Sequence, residues 1–255
     1  MGVPMQSTAD IVHAGQWGAL RAWVESIPGD RRGDPSNRDG WTVDDLLSHL
    51  ARSVDAIAAL RPVVGAIGRR PDDDAADPDD SIEDTIPLTA VPETSMPLTV
   101  GAYLAGFSDR AEEIAEMTKR AASASAADRS GELDAAYAQA QRTLSALGDG
   151  DPLVQARGGL IRLSDFIETR IIELVVHAGD LARSLPDLPP PPLLPAAVDR
   201  VESVLRQAFR DKAGASGDDP DVDRMPAAEF IDVASGRAAV PDRLPAAAQS
   251  EFPLF

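Results

Sequence analysis

The chain has no cysteine among its 255 residues. That excludes a disulfide framework, a thiolate metal site and a cysteine nucleophile, so any thiol chemistry must use a thiol brought from outside. Lysine is almost missing as well, with only Lys119 and Lys212, and nearly all the positive charge is arginine. Basic residues are outnumbered, 24 against 42 acidic, for a formal charge of -18. Such a chain is repelled by a phosphate backbone or an anionic membrane surface, which argues against nucleic-acid and membrane partners. No apolar run is long enough to span a bilayer, and the first 15 residues lack a basic flank, so the sequence reads as a soluble cytoplasmic protein. Strand-like alternation is also wanting, which leaves an all-α class.

What is present is core material, 44% hydrophobic, for one large domain or two small ones. Ile11, Val12, Leu20, Trp23 and Val24 suit one face of a helix over 11–24, and His13 on that helix reads as a surface residue. At residues 40–46 the start of a second helix is unusually complete. Thr42 can cap, Asp45 completes a capping-box pair, and Trp41 can staple onto Leu46. That helix is expected to run from Val43 to Ala66, with Leu46, Leu50, Val54, Ile57 and Leu60 inward. The acidic, proline-broken stretch 71–84 reads as a loop. Further helices are expected over 99–122, 131–147, 161–185, 195–212 and 226–234, with a loop over 214–223. The proline-rich segment 186–192, expected to be extended and stiff, divides the chain into a helical bundle over 1–187 and a proline-hinged helical region over 188–255.

One segment carries the chemistry. From Ile171 to Ala178 every residue is apolar except Glu173 and His177, so this part of the helix has no solvent face and must hide a carboxylate. An unpaired buried charge costs several kcal/mol (~ the scale for a desolvated ion), so something positive has to meet Glu173. Residues four apart share a helix face, which lets Glu173 and His177 approach one point. His49 lies at the edge of the inward stripe of the capped helix. Two histidines and a carboxylate from two helices make a three-ligand divalent-metal site with a free coordination position. The same residues allow a plainer arrangement, with core histidines bonded to carbonyls and Glu173 paired to Arg170 or Arg52. Those two arginines, each one turn from a proposed ligand, are candidates for binding an anionic substrate. Tyr103 and Tyr137 suit proton donation or packing, and Asp180 a solvated or outer position around the ligands.

These residues also carry a family resemblance. Residues 40–50, GWTVDDLLSHL, resemble the "GWTVRDLVAHL" segment of the mycothiol-dependent maleylpyruvate isomerase family, a branch of the DinB-like four-helix bundles. Residues 170–182, RIIELVVHAGDLA, resemble its second signature, "R..E..VHA.DLA". The resemblance implies that His49, Glu173 and His177 bind a divalent metal, usually zinc, and that mycothiol is the cosubstrate. It implies a transferase or isomerase with a small-molecule thiol and an electrophile as partners. The arginine-for-lysine bias suits a high-GC host such as an actinomycete, although a halophile shares it. At Gly179 many relatives carry a large aromatic or acidic residue. Related isomerases often have an α/β C-terminal domain, where residues 193–255 here read as two helices and a tail. A non-catalytic metal- or ligand-binding bundle and a metal-dependent hydrolase are the alternatives, and a homo-oligomer is left open.

Overall fold

A computed structural model describes residues 7–63, 96–108, 111–125, 128–148, 150–214 and 217–255. The chain is mainly helical: α1 (Thr8–Glu25), α2 (Val43–Ala58), α3 (Val100–Ser108), α4 (Ala111–Ser125), α5 (Arg129–Leu147) and α6 (Leu163–Ser184) come first. Then come α7 (Pro195–Ala213), the one-turn α8 (Pro220–Asp223), α9 (Ala227–Ala234) and the one-turn α10 (Ala246–Gln249). Helix α2 packs chiefly on α5, α1 on α6, and α2 also on α6 and α4. A single buried core continues from these helices into α7, α9 and the tail. The acidic 71–84 stretch lies outside the described residues.

Two capping boxes start the helices that set the bundle. Ser7 and Asp10 open α1, and Thr42 and Asp45 open α2 with reciprocal bonds of 3.1 and 2.8 Å. Leu46, Leu50, Val54, Ile57 and Leu60 are all buried as the periodicity predicts. Helix α2 nevertheless stops at Ala58 rather than continuing to Ala66. Pro62 has no amide hydrogen, and its ring would collide with the Ala58 carbonyl in a continued helix. The expected 99–122 helix is described as two helices, α3 and α4. Helix α6 begins without a side-chain cap of its own. Its first free amides are met from the preceding loop, Leu163 by the Pro152 carbonyl and Ser164 by the Asp151 carboxylate.

Beyond the shorter α2, the divided 99–122 helix and the one-turn α8 inside the expected 214–223 loop, two further readings of the sequence are corrected. A small antiparallel sheet is present: β1 (Arg61–Pro62), β2 (Leu153–Ala156) and β3 (Gly159–Arg162), in that order, with Val154 opposite Ile161. Residues 161 and 162 therefore belong to a strand and not to the start of α6. The signal was Arg157-Gly158 between two short apolar runs, a two-residue hairpin that the helical pattern on either side obscured. The second correction concerns α1. Its buried stripe is Ala9, His13, Gln16, Trp17, Leu20, Trp23 and Val24, while Ile11 is 58% exposed. His13 is thus in phase with the core and not at the surface.

The same stripe anchors the proline run. Trp23 Nε1 donates to the Pro189 carbonyl at 2.7 Å, and Gln16 Nε2 donates to that of Pro192 at 3.0 Å. Leu194 in turn donates its amide to Gln16 Oε1. These bonds tie the extended segment to α1 and fix where α7 starts.

Burial of His13, helped by the nearby Arg170 charge, lowers its pKa to about 4. The unfolded chain takes up this proton near pH 6.5 and the native chain only near pH 4. Stability from this group is therefore complete above pH 6.5 and is lost as pH falls to 4, by about 3 kcal/mol at the limit. Urea titrations across that range should show the wild type losing more stability than His13→Gln. Parallel curves for the two proteins contradict this.

Candidate metal centre

The middle of α6 is enclosed on all sides: every residue from Phe166 to Ala178 is buried. Glu173 and His177, one turn apart, face α2, where the second turn presents His49. The Nε2 atoms of His49 and His177 lie 3.2 and 3.1 Å from one and the same oxygen, Oε2 of Glu173. The two imidazole rings stand edge to face at 4.6 Å. All three candidate ligand atoms fall within 4.8 Å of one another. In a tetrahedral site with bonds near 2.0–2.1 Å, neighbouring ligand atoms are about 3.4 Å apart. The donor set and its spacing fit a divalent cation such as zinc.

The outer face of His177 is held as firmly. Its Nδ1 lies 2.9 Å from Oδ2 of Asp180, a carboxylate that is wholly buried. A proton on Nδ1 donates to Asp180, while Nε2 donates to Glu173 when it too is protonated and offers its lone pair at the same place once a cation displaces that proton. Asp180 also accepts from Asn37 Nδ2 at 3.0 Å, Arg183 Nη2 at 3.2 Å and Arg237 Nη2 at 3.1 Å. His49 is steadied by Thr118 Oγ1 at 3.4 Å from Nδ1 and by the edge-to-face ring of Trp41.

The electrostatics follow from this geometry. Burial alone pushes carboxylates up, but bonds from His177 and His49 outweigh it and hold Glu173 well below its ordinary pKa. Burial also pushes Asp180 up, and His177 with Arg237 more than reverses it. Burial lowers His49, with only partial relief from Glu173. His177 rises, because Asp180 and Glu173 together overcome its desolvation. A cluster of opposed shifts on buried groups is a common mark of a functional site.

The cluster forms part of the wall of a cavity of about 520 Å³. Arg52 and Arg170 line the same cavity. Arg170 is 5% exposed, lies over the Phe166 ring at 4.9 Å, and has no hydrogen-bond partner for Nη2 among the described residues. Ser53 Oγ beside it is also buried and unpartnered. Arg52 and Arg157 both end on the sulfur of Met117 at 3.8 and 3.7 Å. Among the described residues none of these three arginines meets a carboxylate at ion-pair distance. Tyr103 lines the cavity between Phe107 and Phe166, while Tyr137 stacks on Trp17. Asn37, Arg157 and Arg237 escaped sequence reasoning, since nothing local marks a residue that meets the site from 57 or 143 positions away. Gly179 lies against Arg183, whose guanidinium would stand 3.1 Å from an added Cβ.

Gly158 shows how tightly the hairpin is docked on this wall. A Cβ there would stand 2.6 Å from Cε2 of Tyr103, closer than side chains tolerate. Gly158→Ala is therefore expected to cost about 1–3 kcal/mol by overpacking, read by chemical denaturation. A variant as stable as the wild type contradicts this docking.

No helix among the described residues is long and apolar enough to cross a membrane. No curated protein and no solved structure matches the chain. The family model "mycothiol maleylpyruvate isomerase N-terminal domain" matches residues 13–182, a span that includes α2, all but the last two residues of α6, and all three candidate ligands. That span is two thirds of the sequence, and the chain belongs to the mycothiol maleylpyruvate isomerase N-terminal domain family.

Proposed function

We propose that the protein is a metal-dependent enzyme that uses mycothiol to attack a small, anionic, electrophilic substrate, in a transfer or an isomerisation. The observation that carries this reading is the convergence of His49, Glu173 and His177 on one point of a cavity that also holds Arg52, Arg157 and Arg170, which meet no carboxylate at ion-pair distance among the described residues. His49, Glu173 and His177 are assigned as the ligands. A divalent metal bound there would lower the pKa of a thiol taken at its remaining position, so that thiolate is available near neutral pH. The chain has no cysteine to supply that thiol itself, and the family name points to mycothiol.

The residues of the chain do the rest. Glu173 brings negative charge to the cation while its neighbours keep it ionised in a buried place. Asp180 keeps His177 in the tautomer whose Nε2 faces inward. Arg170 Nη2 and Ser53 Oγ, buried without partners, are donors for a carboxylate, and Arg52 adds a second positive charge on the same wall. Phe107, Phe166, Ile172 and Val176 exclude water around the body of the substrate. A chain of net charge -18 that gathers arginines around its cavity is built to draw an anion there.

Untagged protein should carry about one divalent metal per chain, and His49→Ala or His177→Ala should lose it. Stoichiometric metal in both substituted proteins overturns the ligand assignment. In a screen of electrophiles, turnover should need metal and mycothiol together. Arg170→Met should raise KM about tenfold or more for carboxylate-bearing substrates and leave neutral ones almost unchanged, as expected for a lost charged hydrogen bond. Equal turnover without mycothiol replaces the thiol by bound water and makes the protein a hydrolase.

A further inference from the structure

Arg237 lies 55 positions beyond the end of the family match, yet its side chain reaches Asp180, the carboxylate behind the candidate ligand His177. What brings it there is the way α9 ends. The buried face of α9, with Phe230, Ile231, Val233 and Ala234, packs on α7. After the C-cap Ser235 the chain turns at Gly236, whose φ of +68° suits glycine. The Gly236 amide donates to the Val233 carbonyl at 3.1 Å and the Arg237 amide to that of Asp232 at 2.7 Å. This pair of bonds is a Schellman cap, which sets the direction of the next side chain. The Leu254 amide ties the tail to the same turn through the Ala234 carbonyl at 2.8 Å.

Arg237 then meets Asp180 with two nitrogens, Nη2 to Oδ2 at 3.1 Å and Nε to Oδ1 at 3.4 Å. Oδ2 is the oxygen that His177 Nδ1 uses. Asn37 and Arg183 bond only Oδ1. A planar guanidinium across both oxygens fixes the plane of a carboxylate, which a single donor does not. Asp180 has no access to water, so without Arg237 its best bonds would be the donors on the Oδ1 side. Rotation toward them would release His177.

We infer that Arg237 is a positioning residue for the metal centre: it clamps Asp180 so that His177 presents Nε2 to the cation, and the C-terminal region is thereby part of the site. This inference rests on the metal reading above. It adds that cation affinity depends on a residue that lies outside the family-matched span.

The test is titration of the metal-free, full-length protein with Co²⁺, following the visible d–d bands, for wild type, Arg237→Gln, Arg237→Lys and Arg183→Gln. Arg237→Gln should weaken Co²⁺ binding about tenfold and shift the bands, the scale seen when outer partners of a ligating histidine are removed. Arg237→Lys, which keeps the charge but loses the fork, should recover only part of the affinity. Arg183→Gln, which leaves Oδ2 untouched, should stay within about threefold of wild type. If Arg237→Gln does not fold, the Lys variant decides: unchanged affinity and bands overturn the inference. A lowered Tm with wild-type affinity and bands makes Arg237 merely structural and also overturns it. If wild type binds no Co²⁺, the metal reading itself fails and takes this inference with it.

Discussion

A single oxygen, Oε2 of Glu173, organises this molecule, because two imidazoles from different helices converge on it inside the core. An ionised carboxylate at that depth is tolerable only if cations or strong donors surround it. Helix α6 must therefore meet α2 at the turn that carries His49, which fixes how the two helices lie against each other. His177 in turn needs a partner for its second nitrogen, so Asp180 is buried as well, and a buried Asp180 needs donors of its own. Asn37, Arg183 and Arg237 supply them from three separate stretches of chain. The polar cluster thus reaches from the loop before α2 to the turn after α9.

Much of this was legible from local pattern. The apolar run around Glu173 and His177 demanded a buried carboxylate, and the capping box at Thr42 placed His49 in the second turn of an amphipathic helix. The α1 stripe was legible too, but Ile11 drew the reading off phase by valuing hydrophobicity above period, so His13 was put outside. The sheet is hard to read from sequence because its strands are two to four residues long and one of them, β3, runs straight into α6. What no local pattern carries is partnership across long separations. Asp180 sits on α6 like any other acidic residue, and only the fold shows that it has no exposure and four partners.

The charge distribution has a comparable logic. The chain as a whole is acidic, yet Arg38, Arg52, Arg157, Arg170 and Arg237 line the cavity beside Asp55, Glu113 and Glu173, a local excess of positive charge that suits the anionic substrate proposed above. Arginine suits that interior better than lysine. Its guanidinium keeps its charge when buried and lies flat on aromatic rings, as Arg170 does on Phe166. The unpartnered Nη2 of Arg170 and Oγ of Ser53 cost stability as they stand, which is reasonable where a ligand group completes them.

The central claim is that His49, Glu173 and His177 hold a metal with a position left for a thiol, and X-ray absorption at the zinc edge tests it most directly. Zinc-loaded protein should show only nitrogen and oxygen neighbours, at about 2.0–2.1 Å. On addition of mycothiol one sulfur should enter the shell at about 2.3 Å. A shell that stays free of sulfur at saturating mycothiol, or one without imidazole scattering, contradicts the account.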